Sequence, residues 1–241
     1  MAADLADVWE EIRLADNQAI VLRAEIQHFL SDRPYLVWRD LSPQTGYATI
    51  KVRSLSTLPT TVIRSARQIV HSYRISLDYL ATRLARRKNP GFTGKAYFPV
   101  SKRLSAFKID GLDKLRVLRI EDERIIASFV PYGGDGGNKL LFALHHLNIG
   151  DKHNDPCLAG GVISNIGIIS GYVGTVVSGP NVLFPLEEGA TLLTVGPDTE
   201  VKFTFAAEIV FREVPGLPGI PIQNLLNEFS GLTKSIVACF D

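Results

Sequence analysis

The chain has 241 residues, 46% of them apolar, which is enough to fill a hydrophobic core in one large domain or two small ones. A charged fraction of 21% and a formal net charge of +1 are typical of ordinary soluble proteins. The two cysteines, Cys157 and Cys239, stand far apart without a CxxC partner, which argues against a disulfide framework or a zinc site. The acidic N-terminus shows no signal peptide, so we expect a cytoplasmic protein.

One stretch without charges, residues 156–186, has the length of a membrane span. Its frequent glycines and β-branched residues favour short buried strands and turns over a helix that faces lipid. We therefore expect no contact with a membrane.

The first half of the chain predicts a helix, a hairpin and a second helix. Residues 3–31 carry an apolar stripe at helical spacing. Residues 35–54 contain two β-rich runs around the sequence Ser-Pro-Gln-Thr-Gly at 42–46, which indicates a hairpin with a longer loop. A long helix follows at residues 59–88, and Asn-Pro-Gly at 89–91 ends it.

The long helix has two distinct faces. One is an apolar seam, with spacings of three and four that indicate burial. Its members are Val62, Ala66, Ile69, Tyr73, Leu77, Leu80 and Leu84. The second face, which we call the polar stripe, consists of Arg64, Arg67, His71, Arg74 and Asp78. A helix that merely faces water does not need these side chains in register, so the polar stripe predicts a helix that lines a polar cleft.

Residues 91–137 form a less regular segment, with short helical pieces, that ends in a glycine-rich turn at 133–137. Such a turn before a helix either presents backbone N–H groups to an anion or serves as a flexible connection. It is not a nucleotide-binding P-loop, because Lys139 is followed by Leu140. We expect no cofactor.

A third core helix is predicted at residues 138–150, and the densest polar cluster of the chain, residues 145–155, lies at its end. Loops at helix ends often aim functional side chains into a cleft, but the same residue types also cap helices. The adjacent His145 and His146 point about 100° apart on a helix, so we predict no metal site.

The last third of the chain predicts strands and one more helix. Residues 159–213 give four to six strands, of which the clearest, 200–212, alternates apolar and polar residues as antiparallel strands do. Residues 221–240 form an amphipathic helix. The predicted fold class is α+β, a single domain over residues 1–241. In it, long packed helices at 3–31, 59–88, 138–150 and 221–240 combine with the hairpin and a C-terminal antiparallel sheet.

The small net charge hides an asymmetry. Residues 64–119 hold 14 Lys and Arg against 3 Asp, a net charge of +11, so the remainder of the chain carries −10. Such an excess is a candidate footprint for phosphate groups. The alternative is a solvated basic face that the acidic N-terminal helix compensates.

Four elements of the chain, in order, resemble those of a large family of uncharacterised bacterial proteins. VHSYRISLDYLATRLA, residues 70–85, is similar to the family's "hNlRSALDHLayqL" helix. Phe98-Pro99-Val100 matches an "FPI" element and Val130-Pro131-Tyr132 a "QPY" element. LHHLNIGDKHND, residues 144–155, matches "L..L.NiDKHR", and the resemblance covers roughly residues 60–155.

The resemblance implies a shared site. It implies no function, because no activity is established for the family. The residues that match its motifs by position are His71, Arg74, Asp78, Pro131, Tyr132, Asn148, Asp151, Lys152 and His153. Tyr79 and Asn154 depart from the family pattern, which has His and Arg at these positions.

These observations give two hypotheses. In the first, the chain binds or hydrolyses a phosphate-containing ligand, RNA or a nucleotide. Its catalytic residues would be His71, Arg74, Asp78, Asp151, Lys152 and His153, and its ligand-binding residues Arg64, Arg67, Tyr132 and Asn148. In the second, the chain is a non-enzymatic α+β module, able to form a homodimer, in which these residues form an internal structural clamp. Both require that the polar stripe and the Asp-Lys-His end of the third helix meet.

Overall fold

The computed structural model describes residues 2–153, 159–164, 190–196, 206–211 and 214–241. For residues 150–153, 159–164, 190, 192–193 and 206 the description covers the backbone only. These residues form an α+β fold, as predicted. Their helices are α1 (Ala6–Ser31), α2 (Thr60–Lys88), α3 (Leu104–Ala106), α4 (Leu112–Leu115), α5 (Ile120–Ser128), α6 (Lys139–His153) and α7 (Ile222–Ala238).

The long helix α2 lies at the centre of the helical layer and packs against α1, α6 and α7. All seven residues of its predicted apolar seam are buried, which confirms the helical spacing as the signal for this face. The inward residues of α1 and α7, such as Ile12, Leu22 and Phe229, complete the same core. A π-helical turn, Phe107–Gly111, joins α3 to α4.

The hairpin is formed by β1 (Tyr35–Leu41) and β2 (Ala48–Ser54), which pair antiparallel from Tyr35 opposite Ser54 to Leu41 opposite Ala48. The remaining described strands are β3 (Ala159–Ser164), β4 (Ala190–Val195) and β5 (Ala206–Phe211). The strand β4 joins the hairpin through β2, while β3 and β5 form a separate antiparallel pair. The predicted strand at 200–212 is described only over β5.

The helix α6 extends further than its sequence predicts. It continues through Gly150 to His153, so the Asp-Lys-His residues lie on its last turn and not in a loop. One glycine inside a helix costs only about 1 kcal/mol. Burial of Leu141, Leu144 and Leu147 supports the helix where it packs along α2.

The glycine-rich turn before α6 is tightly packed at one of its ends. A Cβ on Gly137 would lie 2.0 Å from the carbonyl oxygen of Tyr132, so only glycine fits there. Gly134 and Gly136 adopt φ values of +82° and +73°, which side chains disfavour. Asn138 then caps α6, because its Oδ1 accepts a hydrogen bond from the N–H of Leu141 at 2.9 Å. These residues set the start of α6.

Within the described ranges, none of the helices has the length and apolarity needed to cross a membrane. Most of the uncharged stretch at 156–186 lies outside those ranges.

Candidate functional site

The polar stripe of α2 lies beside a groove that we call the first groove. This groove has a volume of about 880 Å³ and runs between α1 and α2. Its described lining residues are Leu14, Asn17, Gln18, Val21, Arg64, Ser65, Arg67, Gln68, His71 and Asn148. Two cations and no carboxylate are among them, so this groove offers a positive, amide-rich surface.

A second groove, of about 490 Å³, continues along α2 on the other side of His71. It lies between the C-terminal half of α2 and the segment at residues 93–97, which belongs to no helix or strand. Its lining includes Arg74, Asp78, Tyr79, Arg83, Arg86, Lys95 and Tyr97, together with Asp7 of α1. The polar stripe therefore lines two clefts, as its spacing predicts.

His71 and Asn148 line both grooves and mark the place where they meet. The Nδ1 of His71 lies 2.9 Å from the Oδ1 of Asn148 on α6. An amide oxygen only accepts hydrogen bonds, so His71 donates its Nδ1–H, and in the neutral ring Nε2 keeps its lone pair. This bond gives His71 the tautomer that a general base needs.

Arg74 and Asp78, about one and two helical turns further along α2, are arranged differently. The Nη1 of Arg74 donates to Oδ1 of Asp78 at 2.6 Å, and its Nη2 donates to the carbonyl oxygen of Phe98 at 2.9 Å. The same Asp78 oxygen accepts from the backbone N–H of Phe98 at 2.8 Å. We call Arg74, Asp78 and the backbone of Phe98 the Arg74 clamp.

The Arg74 clamp is a buried structure with further ties. Arg74 is only 5% exposed, and its Nε donates to Nδ1 of His145 on α6 at 3.2 Å. One turn later, Oγ1 of Thr82 accepts a hydrogen bond from the N–H of Ala96 at 3.2 Å. Charge-assisted bonds of this kind fix geometry, so the clamp attaches the segment around residues 96–98 to α2.

The acidic N-terminal region compensates part of the positive charge of α2. Asp7 pairs with Arg83 at 2.6 Å and Asp4 pairs with Arg87 at 2.6 Å. The hydrogen bond from Arg87 is the main reason that the pKa of Asp4 lies below its ordinary value. Arg64, Arg86 and Lys95 form no ion pair with any residue that the structure describes, so their charges are available to a ligand.

The structure thus brings part of the predicted site together. The Asn148 and His145 contacts with α2 show that the C-terminal half of α6 reaches the polar stripe. The backbone of Asp151, Lys152 and His153 follows on the last turn of α6, but their side chains lie outside the described part. Among described side chains, no group of three or more His, Cys, Asp or Glu is placed to hold a metal ion.

Tyr132 is not brought to this site. Its side chain is 8% exposed, its ring centroid lies 5.9 Å from that of Phe107, and it lines neither groove. The matching "QPY" element has a structural place here, because the Tyr132 N–H and carbonyl belong to the packed glycine turn. Its placement gives Tyr132 a core role in this chain.

Several groove residues are absent from the sequence prediction. Tyr79 and Arg86 are seven residues apart and share a helix face, but at 100° per residue that face lies about 80–100° from Asp78, so extending the polar stripe would not have found them. Lys95 and Tyr97 have no helical signal either, because only the folded chain places their segment beside α2.

Comparisons with protein families, curated proteins and solved structures found no match to this chain. The resemblance to the bacterial family stays a prediction.

Proposed function

We propose that the chain binds a phosphate-containing ligand, RNA or a nucleotide, along the polar face of α2, and that His71 serves its hydrolysis. The observation that carries this proposal is the position of His71. It lies where the two grooves meet, its Nδ1 is held by Asn148, and cations line the groove on either side.

The described residues suggest separate roles within the proposed site. Arg64 and Arg67 in the first groove, and Arg86 and Lys95 in the second, attract the phosphate charge. His71 takes the proton of the attacking oxygen through Nε2. Arg74 and Asp78 position the groove wall and do not act on the ligand, because Arg74 is buried in the clamp.

The Asp-Lys-His turn keeps its place in the proposal. Lys152 follows Asn148 by four residues on α6, one turn further along the helix. We assign Lys152 to phosphate binding, His153 to protonation of the leaving oxygen, and Asp151 to the orientation of a histidine. In this scheme water attacks phosphorus while His71 takes its proton. The bond to the leaving oxygen breaks, and His153 gives that oxygen a proton.

Binding is tested by fluorescence anisotropy with a labelled 12-nucleotide RNA and by its dependence on salt. Arg64→Gln and Arg86→Gln should each weaken binding and lower the slope of log K against log salt by roughly 0.7, the value for one phosphate contact on a single strand. Arg124→Gln, an exposed residue on α5 that lines neither groove, is the matched control. Equal affinity of all three variants for the RNA would exclude the two grooves as the binding site.

Hydrolysis is tested on a panel of RNA and nucleotide substrates with the wild type, His71→Ala and His153→Ala. We expect loss of at least 100-fold in rate for His71→Ala, the lower range for a lost general base. His28→Ala, an exposed histidine near the end of α1, is the control and should keep wild-type activity. A wild type without activity on the whole panel would reduce the proposal to binding alone.

The alternative function is a non-enzymatic module, with the motif residues as internal ties. The specific observation in its favour is the Arg74 clamp, which occupies two of the predicted catalytic residues. Exposed apolar side chains on α1, among them Leu14, Ile20 and Val21, support a homodimer in this alternative. Sedimentation equilibrium measures the assembly, and the mass of a single chain at high concentration would exclude the dimer.

A bacterial, cytoplasmic setting completes the proposal. The described cysteine, Cys239, is exposed and free, which fits a reducing compartment. The other cysteine of the sequence, Cys157, lies outside the described residues.

A further inference from the structure

The second groove combines two exposed aromatic rings with two cations. Tyr79 on α2 is 41% exposed and Tyr97 in the segment at residues 93–97 is 55% exposed, and both line this groove. Arg86 and Lys95 line it as well. Sites that bind single-stranded nucleic acids typically combine solvent-exposed aromatic rings, on which bases stack, with cations that bind the phosphates.

We propose that the ligand is a single-stranded nucleic acid, with bases stacked on Tyr79 and Tyr97 and the backbone held by Arg86 and Lys95. This inference rests on the proposed function and names the class of its ligand. A double helix does not fit the requirement, because its bases are stacked on one another and cannot present their faces to a side chain.

The length of the basic surface favours a polymer over a mononucleotide. Arg64 and Arg86 are 22 residues apart on one helix, a distance of about 33 Å along its axis. The two grooves between them adjoin at His71 and Asn148, which line both. A nucleic-acid strand that follows α2 stacks its bases on the two tyrosines, passes His71 and reaches Arg64 and Arg67.

The Arg74 clamp explains how Tyr97 is presented. Exposure alternates along residues 95–98, with Ala96 and Phe98 buried and Lys95 and Tyr97 exposed. The N–H groups of Ala96 and Phe98 are held by Thr82 and Asp78, while Lys95 and Tyr97 line the groove. The backbone on both sides of Tyr97 is therefore held in place before any ligand arrives, which lowers the entropic cost of binding.

The test measures anisotropy of a fluorescein-labelled 12-nucleotide oligouridylate with wild type, Tyr97→Ala, Tyr97→Phe and Tyr79→Ala. Both alanine variants should weaken binding roughly tenfold, which is within the range for one lost stacking contact. Tyr97→Phe should bind like the wild type because the ring is kept. Tyr47→Ala, an equally exposed tyrosine in the hairpin loop, is the control and should change nothing.

Competition with three unlabelled probes separates this inference from the proposed function. We expect a duplex of the same length, uridine monophosphate and inorganic polyphosphate each to compete at least tenfold more weakly than the single strand. If polyphosphate or the duplex competes equally and Tyr97→Ala binds normally, base stacking is refuted while the phosphate site stands. Equal competition by the mononucleotide refutes the extended strand. Binding of none of the four refutes the proposed function itself.

Discussion

The two halves of the polar stripe differ in what covers them. Arg64 and His71 border the grooves without bonds to the segment at residues 93–98, whereas Arg74 and Asp78, on the next turns of the same helix, are bound to the backbone of Phe98 at the wall of the second groove. In the sequence they belong to one pattern, with the same residue types and spacing. The difference shows that a charged stripe defines a helix face, and that neighbouring segments decide which of its members stay available to a ligand.

Burial also changes what each residue contributes. A guanidinium that is 5% exposed is unfavourable unless its donors are satisfied, and Arg74 meets Asp78, Phe98 and His145. An exposed arginine such as Arg64 carries no such requirement. The buried half should therefore govern stability, and the open half should govern binding.

The largest expected effect is that of Asp78→Ala, which removes the carboxylate from Arg74 and from the N–H of Phe98. We expect the free energy of unfolding to fall by about 3–5 kcal/mol, since one buried charge loses its partner. Urea unfolding followed by circular dichroism measures it. Arg64→Ala is the control in the open half, with an expected change within about 0.5 kcal/mol. Comparable stability of Asp78→Ala and Arg64→Ala would show that the two halves of the polar stripe contribute equally to the free energy of unfolding.

A smaller effect is expected for Thr82→Val, which keeps the shape of the side chain but leaves the buried N–H of Ala96 without its acceptor. The free energy of unfolding should fall by about 1–2 kcal/mol. Hydrogen exchange should also quicken at Ala96, near Tyr97, more than at α7. Unchanged exchange at Ala96 would show that the segment is held by Asp78 alone.

The smallest effect concerns pH and a second, partly buried contact of α2, centred on Asp16. Asp16 of α1 accepts hydrogen bonds from Tyr73 and Ser230 and pairs with Lys234. Burial raises the pKa of Asp16, but the bonds from Lys234, Ser230 and Tyr73 together lower it below the ordinary 3.8.

Because the pKa of Asp16 is lower in the folded state, its contribution to stability is present above pH 3.8 and is lost as the pH falls through the folded value. Asp16→Asn should therefore flatten the loss of stability below pH 3.8, compared with the wild type, in acid titrations followed by urea unfolding. The control is Asp113→Asn, an exposed residue that should keep the wild-type slope. A wild-type slope in Asp16→Asn would exclude this tie as a source of acid sensitivity.

Local patterns in the sequence predicted much of the helical layer and the hairpin. The apolar seam from Val62 to Leu84 needed only helical spacing, and the hairpin needed only two β-rich runs and its turn. The polar stripe, for the same reason, identified five of the residues that line the grooves. These features depend on neighbours a few positions apart, so the chain itself displays them.

Contacts between distant parts of the chain were beyond such patterns. The pairing of β4 with the hairpin joins residues about 140 positions apart, and no local signal selects that partner. The distant partner of Asp78 is a backbone N–H at Phe98, which every residue except proline offers. The exposure of Tyr97 depends on where the segment at residues 93–97 docks. The extension of α6 through Gly150 reflects packing on α2 that outweighs a weak local preference.

The guanidinium of Arg74 joins places in the chain that lie 24 and 71 positions away, at Phe98 and His145. Its bonds can form together only after the segment around Phe98 and α6 have both docked on α2. A partly folded chain in which either one is detached leaves a donor of the buried guanidinium unsatisfied, which is unfavourable. Arg74 therefore couples the docking of these two segments. The second groove, which both segments line, is complete only when both have docked.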